Sequence, residues 1–372
     1  MMRTDRRMPT STRVVSDLAV LEDDWRRLEG STRALTAFQT WEWVQAWWQT
    51  LGRRRPVQVV SVHRDGEVVA MTALHPTRLG VGPASFELLT PLGQDHADEG
   101  LLVLGDAREH GSALLDALGP LVEGGRRGVN VPRLRESGDD HALVTGHPWR
   151  QRVRVSQEGR STCPVLDLGA LADPERELAA RAKKCDVPRL RRRLAERGEV
   201  RIDLHRPVDP GFDELLRVYD LRWAERAGEQ GLLSNGPARA FARDAVTALA
   251  ARGDAWLSTL HLDDEPIAAC LGYHVGETYY YHKPAFDPAH AKFGPGHILL
   301  SEVATACLGS GVRVLNFGRG TDAYKARWAT GAHDVVSCSL TPARMPASVS
   351  SRLRHAAMAL RVREHRGRSV PS

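Results

Sequence analysis

The stretch VSVHRDGEVVAMTA, Val60 to Ala73, returns in altered form as STLHLDDEPIAACL, Ser258 to Leu271. Each reads as a β-hairpin: alternating residues, a two-residue turn, then alternation resumed. His63 aligns with His261, Asp65 with Asp263, Glu67 with Glu265 and Ala70 with Ala268. The flanking elements keep the same order in both halves: two helices, a three-strand meander, a helix, a strand, and a final helix or loop. A chain that repeats one such unit has the same packing problem to solve twice, and duplication is the natural reading.

In the first half, Leu18 to Glu29 and Trp41 to Leu51 read as helices, the second capped by Thr40. Its Trp43, Trp47 and Trp48 fall at helical spacing, as core residues do. Val57 to His63, Asp65-Gly66 and Val68 to Leu74 form the hairpin. Phe86 to Leu89 and Leu101 to Leu104 read as further strand, Arg108 to Leu118 as helix and Val129 to Val131 as strand. In the second half, Phe212, Leu215, Leu216, Tyr219 and Trp223 share one helix face. A second helix, Phe241 to Ala251, is followed by strands at Trp256 to Leu262, Ile267 to Tyr273 and Thr278 to His282. A helix from Gly296 to Leu308 and a strand from Val312 to Phe317 complete the repeat. The expected fold class is α/β (α+β), two tandem domains with mixed central sheets flanked by helices. The expected boundaries are 14–160 and 161–342, with a basic tail at 343–372. The boundary is expected near Gln157 to Pro164, between strand-like Arg152 to Val155 and CPVLDL, and Met1 to Arg13 reads as a frayed terminus.

The length of 372 residues suits two cores. A hydrophobic content of 42% and a charged content of 26% match a water-soluble globular chain. No apolar run approaches the roughly 20 residues that span a bilayer, so no integral membrane segment is expected. No secretory leader is read, and a cytoplasmic location is expected. Cys163, Cys185, Cys270, Cys307 and Cys338 are scattered and form no C-x-x-C pair, so neither a metal nor a disulfide framework is expected.

The net charge of +5 is unevenly spread. Arg181 to Arg193 holds seven basic residues against Asp186, and Arg344 to Ser372 holds seven arginines against Glu364. One reading is a solvated helix face and a loose tail. The other is contact with an anion: CoA phosphates, a charged glycan, a membrane surface or RNA. Neither segment interleaves aromatics, which speaks against a stacking surface for single strands. H-E-x-x-H, the P-loop lysine motif and G-x-S-x-G are all missing from the sequence.

Two segments carry candidate chemistry. HAKFGPGHILL, His290 to Leu300, joins a strand to a helix. Gly294 and Gly296 allow close backbone approach, and the helix start offers N–H groups and a positive dipole end. That suits a pyrophosphate, with Lys292 adding charge, although Pro295 removes one donor. NFGRGTDAYKARW, Asn316 to Trp328, sets Asp322, Tyr324 and Lys325 just past a strand.

With these segments, the layout is similar to the GNAT acyltransferase fold. DPAHAKFGPGHILLSEV and GVRVLNFGRGTDAYKARW resemble the C-terminal domain of the CelD/BcsL-like, cellulose-biosynthesis-associated GNAT proteins. There a Pro-Gly opens the helix, here Pro295-Gly296. A strand then leads into G-x-G-x-x-x-Y-K, here Gly318-Arg319-Gly320 and Tyr324-Lys325. FQTWEWVQAWW, Phe38 to Trp48, resembles that family's N-terminal helix. The related FemABX transferases also carry two GNAT-like domains. One departure stands out: the general GNAT phosphate loop is Q/R-x-x-G-x-G/A, and this chain has Ala291 at the Q/R position.

The resemblance implies acyl transfer, probed with acetyl-CoA or another acyl-CoA as cosubstrate and no metal. The acceptor is an amine or hydroxyl of a small molecule or saccharide, in polysaccharide or cell-envelope biosynthesis. It places a cofactor cradle at Lys292, Phe293, Gly294, Gly296 and His297. Tyr324 falls where many GNAT enzymes keep the acid that protonates the leaving thiolate; the other reading is a tyrosine capping the core. Asp322 reads as a base or as a carboxylate in a first helical turn. His282, at a strand end, reads as a base or as a surface histidine. Arg319 and Lys325 read as substrate-binding anion contacts, and Glu302 as solvent-facing. Two alternatives stay open. One is a FemABX-like transferase using aminoacyl-tRNA, with Arg181 to Arg193 on the RNA. The other is a GNAT-like scaffold without catalysis.

Overall fold

The computed structural model describes residues 8–80, 85–149, 152–224, 233, 236–346, 349, 351–352 and 355–356. The chain divides into two compact units, one of residues 1–161 with 334–372 and one of residues 162–333. Both are mixed α/β, as expected.

The first unit holds β1 (Thr10–Val15), α1 (Glu22–Glu29), α2 (Trp41–Gln49), β2 (Val57–Arg64), β3 (Glu67–Leu79) and β4 (Phe86–Pro91). These are followed by β5 (Leu104–Gly105), α3 (Ala107–Glu123), β6 (Arg127–Arg135) and α4 (Asp139–Gly146). The long strand β7 (Val153–Asp167) begins here and ends in the second unit. β1 to β4 pair antiparallel in succession, and β4 pairs parallel with β6 after the α3 crossover. Asp65 and Gly66 turn the β2–β3 hairpin at φ of 52° and 89°, as a type I′ turn requires.

One expectation for this half is corrected. Thr10 to Val15 is an ordered edge strand and not a frayed end: its β-branched residues pair with Val57 to Val62. Met1 to Arg7 lie outside the described residues. The boundary expected near Gln157 to Pro164 falls between residues 161 and 162, within the continuous strand β7. The tryptophans of α2 are core, with Trp43, Trp47 and Trp48 each under a tenth exposed. Two of the indoles reach backbone carbonyls: Trp43 Nε1 donates to Gly93 O at 3.1 Å and Trp48 Nε1 to Arg55 O at 2.9 Å.

The second unit holds α5 (Pro174–Lys184), α6 (Val187–Ala195), β8 (Val200–Asp203), α7 (Val208–Ala224), α8 (Gly236–Ala251) and β9 (Ala255–Leu262). Then come β10 (Glu265–Val275), β11 (Thr278–Phe286), α9 (Pro295–Gly309), β12 (Val314–Asn316) and α10 (Ala323–Trp328). The last strand, β13 (Gly331–Pro342), begins here and runs into the first unit's residues. β8 to β11 pair antiparallel in succession, and β11 pairs parallel with β12 after the α9 crossover. The repeat read from the sequence is therefore a repeat of topology.

The closing strand of each sheet comes from elsewhere in the chain. In the first unit β6 pairs with β13, through Val335↔Arg135 to Leu340↔Val129. In the second, β12 pairs with the end of β7, through Val314↔Asp167 to Asn316↔Val165. Residues 334–342, read from sequence as the end of the second domain, thus belong to the first unit. Most of the basic tail, 343–372, lies outside the described residues. The basic run Arg181 to Arg193 forms the end of α5 and most of α6, broken at Asp186, which sits at φ 60°.

The second unit's core is built from the inner faces of β9 to β12 and of α9, with Tyr279, Tyr281, Ile298, Leu299, Val303, Phe317 and Trp328 all buried. Tyr279 needs a glycine opposite it: a Cβ on Gly272 would lie 1.9 Å from the Tyr279 hydroxyl oxygen.

Candidate functional site

The site begins where two parallel strands part. β11 and β12 are in register only from Thr278↔Val314 to Tyr280↔Asn316. β12 then ends, while β11 runs on to Phe286. A register shift on β11 opposite Leu271 and Gly272 leaves His282 as the extra residue. The bulge changes which alternate residues face inward, so Tyr281, Pro284 and Phe286 all line the space beyond the split.

That space is a cleft of about 310 Å³. Its other walls are the glycine loop and first turn of α9 (Ala291, Gly294, Pro295, Gly296 and His297), Tyr324 of α10 and Arg222 of α7. The equivalent point of the first unit lies beyond Leu89↔Val129, where β4 and β6 part. Near the end of β4, the pocket lined by Met71 to Ala73 of β3, by Trp25 and Val44, and by Pro91 and Leu92 holds only about 20 Å³, room for one water.

Asn316 sets the loop that follows β12. It is buried, and its side-chain oxygen accepts from Gly318 N–H at 2.9 Å. That turn, with Gly318 at φ 64° and Gly320 at φ 102°, carries the chain into α10. Gly320 N–H donates to Thr162 O at 3.0 Å. α10 then places Tyr324 on the cleft. The Tyr324 ring meets Phe317 edge-on, centroids 6.4 Å apart, and Phe317 meets Tyr281 at 6.2 Å. Burial raises the Tyr281 phenol well above the ordinary value, with Cys270 and Tyr324 adding to the effect. Tyr281 is thus an un-ionised wall beside the half-exposed Tyr324.

Gly294 sits at φ 57° as the N-cap of α9. A Cβ there would also meet Leu190 of α6 at 2.8 Å. The first turn spends most of its donors internally. Gly294 N–H donates to Ala291 O, while His297 and Ile298 N–H both donate to Gly294 O. Pro295 has no N–H, so Gly296 N–H is the one left without a helical acceptor. His297 Nδ1 accepts from Trp328 Nε1 at 3.2 Å. Burial and then Arg327 lower the His297 imidazole from its ordinary value, so the ring is neutral.

Of the residues singled out in sequence, the cleft brings together Tyr324, Gly294, Gly296 and His297. Phe293 is buried behind the loop, with three cations over its ring: Lys292 Nζ at 5.2 Å, Arg193 at 5.8 Å and Arg197 at 6.0 Å. Lys292 is exposed beside the cleft and is not part of its lining. His282 lies at the bulge and packs tilted against Tyr273, centroids 5.4 Å apart, away from the lining. Asp322 is at the N-cap of α10 but caps no backbone N–H; it pairs with Lys325 at 3.3 Å. Lys325 is buried, and its ammonium donates to Arg319 O at 2.6 Å. Arg319 is exposed and contributes that carbonyl to the loop. Glu302 accepts from Arg191 at 2.7 Å, and Arg181 Nη1 donates to Trp328 O at 3.0 Å. Much of the basic run therefore serves structure, with Arg193 and Arg197 left next to the loop.

Sequence reading did not find Tyr281, Phe286, Arg222 or Trp328. The first two sit in the aromatic-rich stretch TYYYHKPAF, but which of them faces the cleft depends on the bulge. Arg222 stands 4.2 Å over the Phe286 ring, a contact between distant parts of the chain.

A mixed sheet split beside a glycine turn, with a tyrosine from the next helix in the gap, decides the comparison. Residues 181–326 match the family model of an acetyltransferase (GNAT) domain. The match covers less than half of the chain. No curated protein matches it. Among solved structures the chain is similar to FemX, with a TM-score of 0.55 at 12% identity, over 93% of this chain and 99% of that one. It is also similar to the C-terminal domain of a candidate lysylphosphatidylglycerol synthetase from Agrobacterium fabrum, with a TM-score of 0.53 at 15% identity, covering 91% and 95%. L-PGS from Bacillus licheniformis gives 0.51 at 14% identity, covering 95% and 98%. At such identities the likeness is one of fold.

Proposed function

We propose that residues 162–333 catalyse direct acyl transfer in this cleft. The observation that carries the reading is the tyrosine at the strand split: Tyr324 lines the cleft opposite Tyr281 and Phe286, bounded by the first turn of α9. An acceptor amine or hydroxyl attacks the donor carbonyl carbon. A C–N or C–O bond forms, and the bond to the leaving sulfur or oxygen breaks. Tyr324 gives its hydroxyl proton to the leaving group, the acceptor's surplus proton passes to solvent, and Tyr324 regains a proton from solvent after product leaves. Backbone N–H groups on β11 beyond the split would stabilise the carbonyl oxygen. His282 is not assigned the base role, because it packs against Tyr273 outside the cleft lining.

Acyl-CoA, with acetyl-CoA first, is the donor proposed for testing. Its fit is partial. The Gly296 N–H, the start of α9 and the cations Lys292, Arg193 and Arg197 suit a phosphate group. The full row of backbone donors that a pyrophosphate cradle would use is not there, since two of the first N–H groups turn back on Gly294 O. Following the CelD/BcsL-like resemblance, the acceptor proposed is a saccharide or small molecule of polysaccharide or cell-envelope biosynthesis, handled in the cytoplasm. Among the described residues no helix is long and apolar enough to cross a membrane. The first unit, with only a water-sized pocket near the end of β4, is proposed to be a degenerate copy.

The same thin backbone cradle favours a second reading. A donor held by side-chain cations, such as an aminoacyl-tRNA, needs no such row of amides, and the fold is shared with FemX. Isothermal titration separates the two. Acetyl-CoA bound in the micromolar range, with little change in Tyr324→Phe, supports the first. Binding of tRNA that weakens steeply with salt supports the second. Binding of neither leaves a non-catalytic scaffold and rejects both transfer readings.

A further inference from the structure

α10 offers two side chains to the region of the cleft, one turn apart: Tyr324 and Trp328. Trp328 is fully buried and is not part of the cleft's lining. Its position is fixed from behind, since Arg181 Nη1 holds its carbonyl oxygen at 3.0 Å. Its indole N–H reaches across to α9 and meets His297 Nδ1 at 3.2 Å.

An indole N–H only donates, so Nδ1 must accept. In a neutral imidazole the proton then sits on Nε2. Nε2 has no hydrogen-bond partner among the described residues, and His297 lines the cleft. The neighbouring Gly296 N–H also lacks a helical acceptor. Two donors of the same sign therefore stand on one turn of α9.

We propose that His297 is a fixed hydrogen-bond donor in the cleft, presenting Nε2–H to an oxygen of the acyl donor, and that Trp328 is the positioning residue that sets its tautomer. The ligand atom is an acceptor oxygen, of a carbonyl, an amide or a phosphoryl group. The lowered basicity of the ring supports this, because a protonated imidazole would turn Nδ1 into a second donor facing the indole N–H. The inference rests on the acyl-transfer reading for its ligand, but the tautomer stands on the geometry alone.

The first test is the nitrogen-15 spectrum of the histidine rings in the full chain, with His297 assigned through His297→Gln. The expected result is an Nε2–H tautomer at neutral pH, turning to a mixture in Trp328→Phe. An Nδ1–H tautomer in the unaltered protein overturns the proposal. The second test is titration and turnover with acetyl-CoA. His297→Phe is expected to weaken donor binding about tenfold, the size of one lost hydrogen bond. His297→Gln, which keeps an N–H donor, is expected to recover most of it. Unchanged binding and turnover in His297→Phe overturns the donor role. If the unaltered protein binds acetyl-CoA not at all, the acyl-CoA reading fails, and the spectrum still decides the tautomer.

Discussion

The Lys325 ammonium lies buried beneath the loop that precedes it, donating to the carbonyl oxygen of Arg319 at 2.6 Å. Asp322 supplies the opposite charge at 3.3 Å, from a side chain that is 63% exposed. This is a latch between the start of α10 and the glycine turn, and it fixes where Tyr324 stands. Lys325→Met should lower stability by about 1.5–3 kcal/mol, the range for a hydrogen bond to a charged group. Asp322→Asn should cost less, because the carboxylate is largely in water. Denaturant midpoints of the two variants check the order; a harmless Lys325→Met would refute the latch.

Tyr324→Phe should leave the donor dissociation constant within about threefold and lower turnover by about 10²–10⁴, the usual worth of general acid–base help. The split between binding and rate is the informative part. A variant that turns over as fast as the unaltered protein would return Tyr324 to the core.

The two glycines of the α9 loop should behave differently. Gly294→Ala forces a side chain onto φ 57° and into Leu190, so a loss of about 1–2 kcal/mol is expected. Gly296→Ala meets only Phe286, at 3.5 Å, and the fold should tolerate it. Its methyl would project beside the open N–H, so the donor KM should rise. Thermal melts and initial rates on both variants distinguish folding damage from cleft damage.

Asp140, in the first unit, accepts hydrogen bonds from Leu102 N–H and Val103 N–H, yet burial pushes its carboxyl up to about 6. A raised carboxyl binds more protons folded than unfolded. Its contribution should therefore favour folding below about pH 4 and fade as pH rises through about 6. The difference amounts to about 3 kcal/mol. Asp140→Asn should remove that slope, measured as the change in stability from pH 4.5 to 7 relative to the unaltered protein. An identical slope in both would reject the assignment.

The hairpins were legible because their cause is local: alternation on either side of an Asp-Gly or Asp-Asp pair. Tyr324 and the Gly294–Gly296 loop were legible because spacing puts them after a strand or before a helix. His282 misled because the strand was read as ending there, whereas β11 runs on to Phe286 and His282 is the extra residue of a bulge set by the partner strand. Lys325 misled because its charge is met by a backbone carbonyl, which no side-chain pattern announces. His297 was visible as a loop residue, but its tautomer depends on Trp328, which lies beyond another strand and loop.

β13 has a consequence for how the chain comes to be folded during its synthesis. The first unit's sheet needs Val335 to Leu340 against β6, and these leave the ribosome only after the whole second unit. The second unit needs only Val165 to Asp167, which precede it and have already emerged. The later-made half can therefore close its sheet while the earlier-made half is still waiting for its last strand. A chain stalled or cut before residue 334 would leave the first unit's sheet open, with the unpaired side of β6 left for another strand to take.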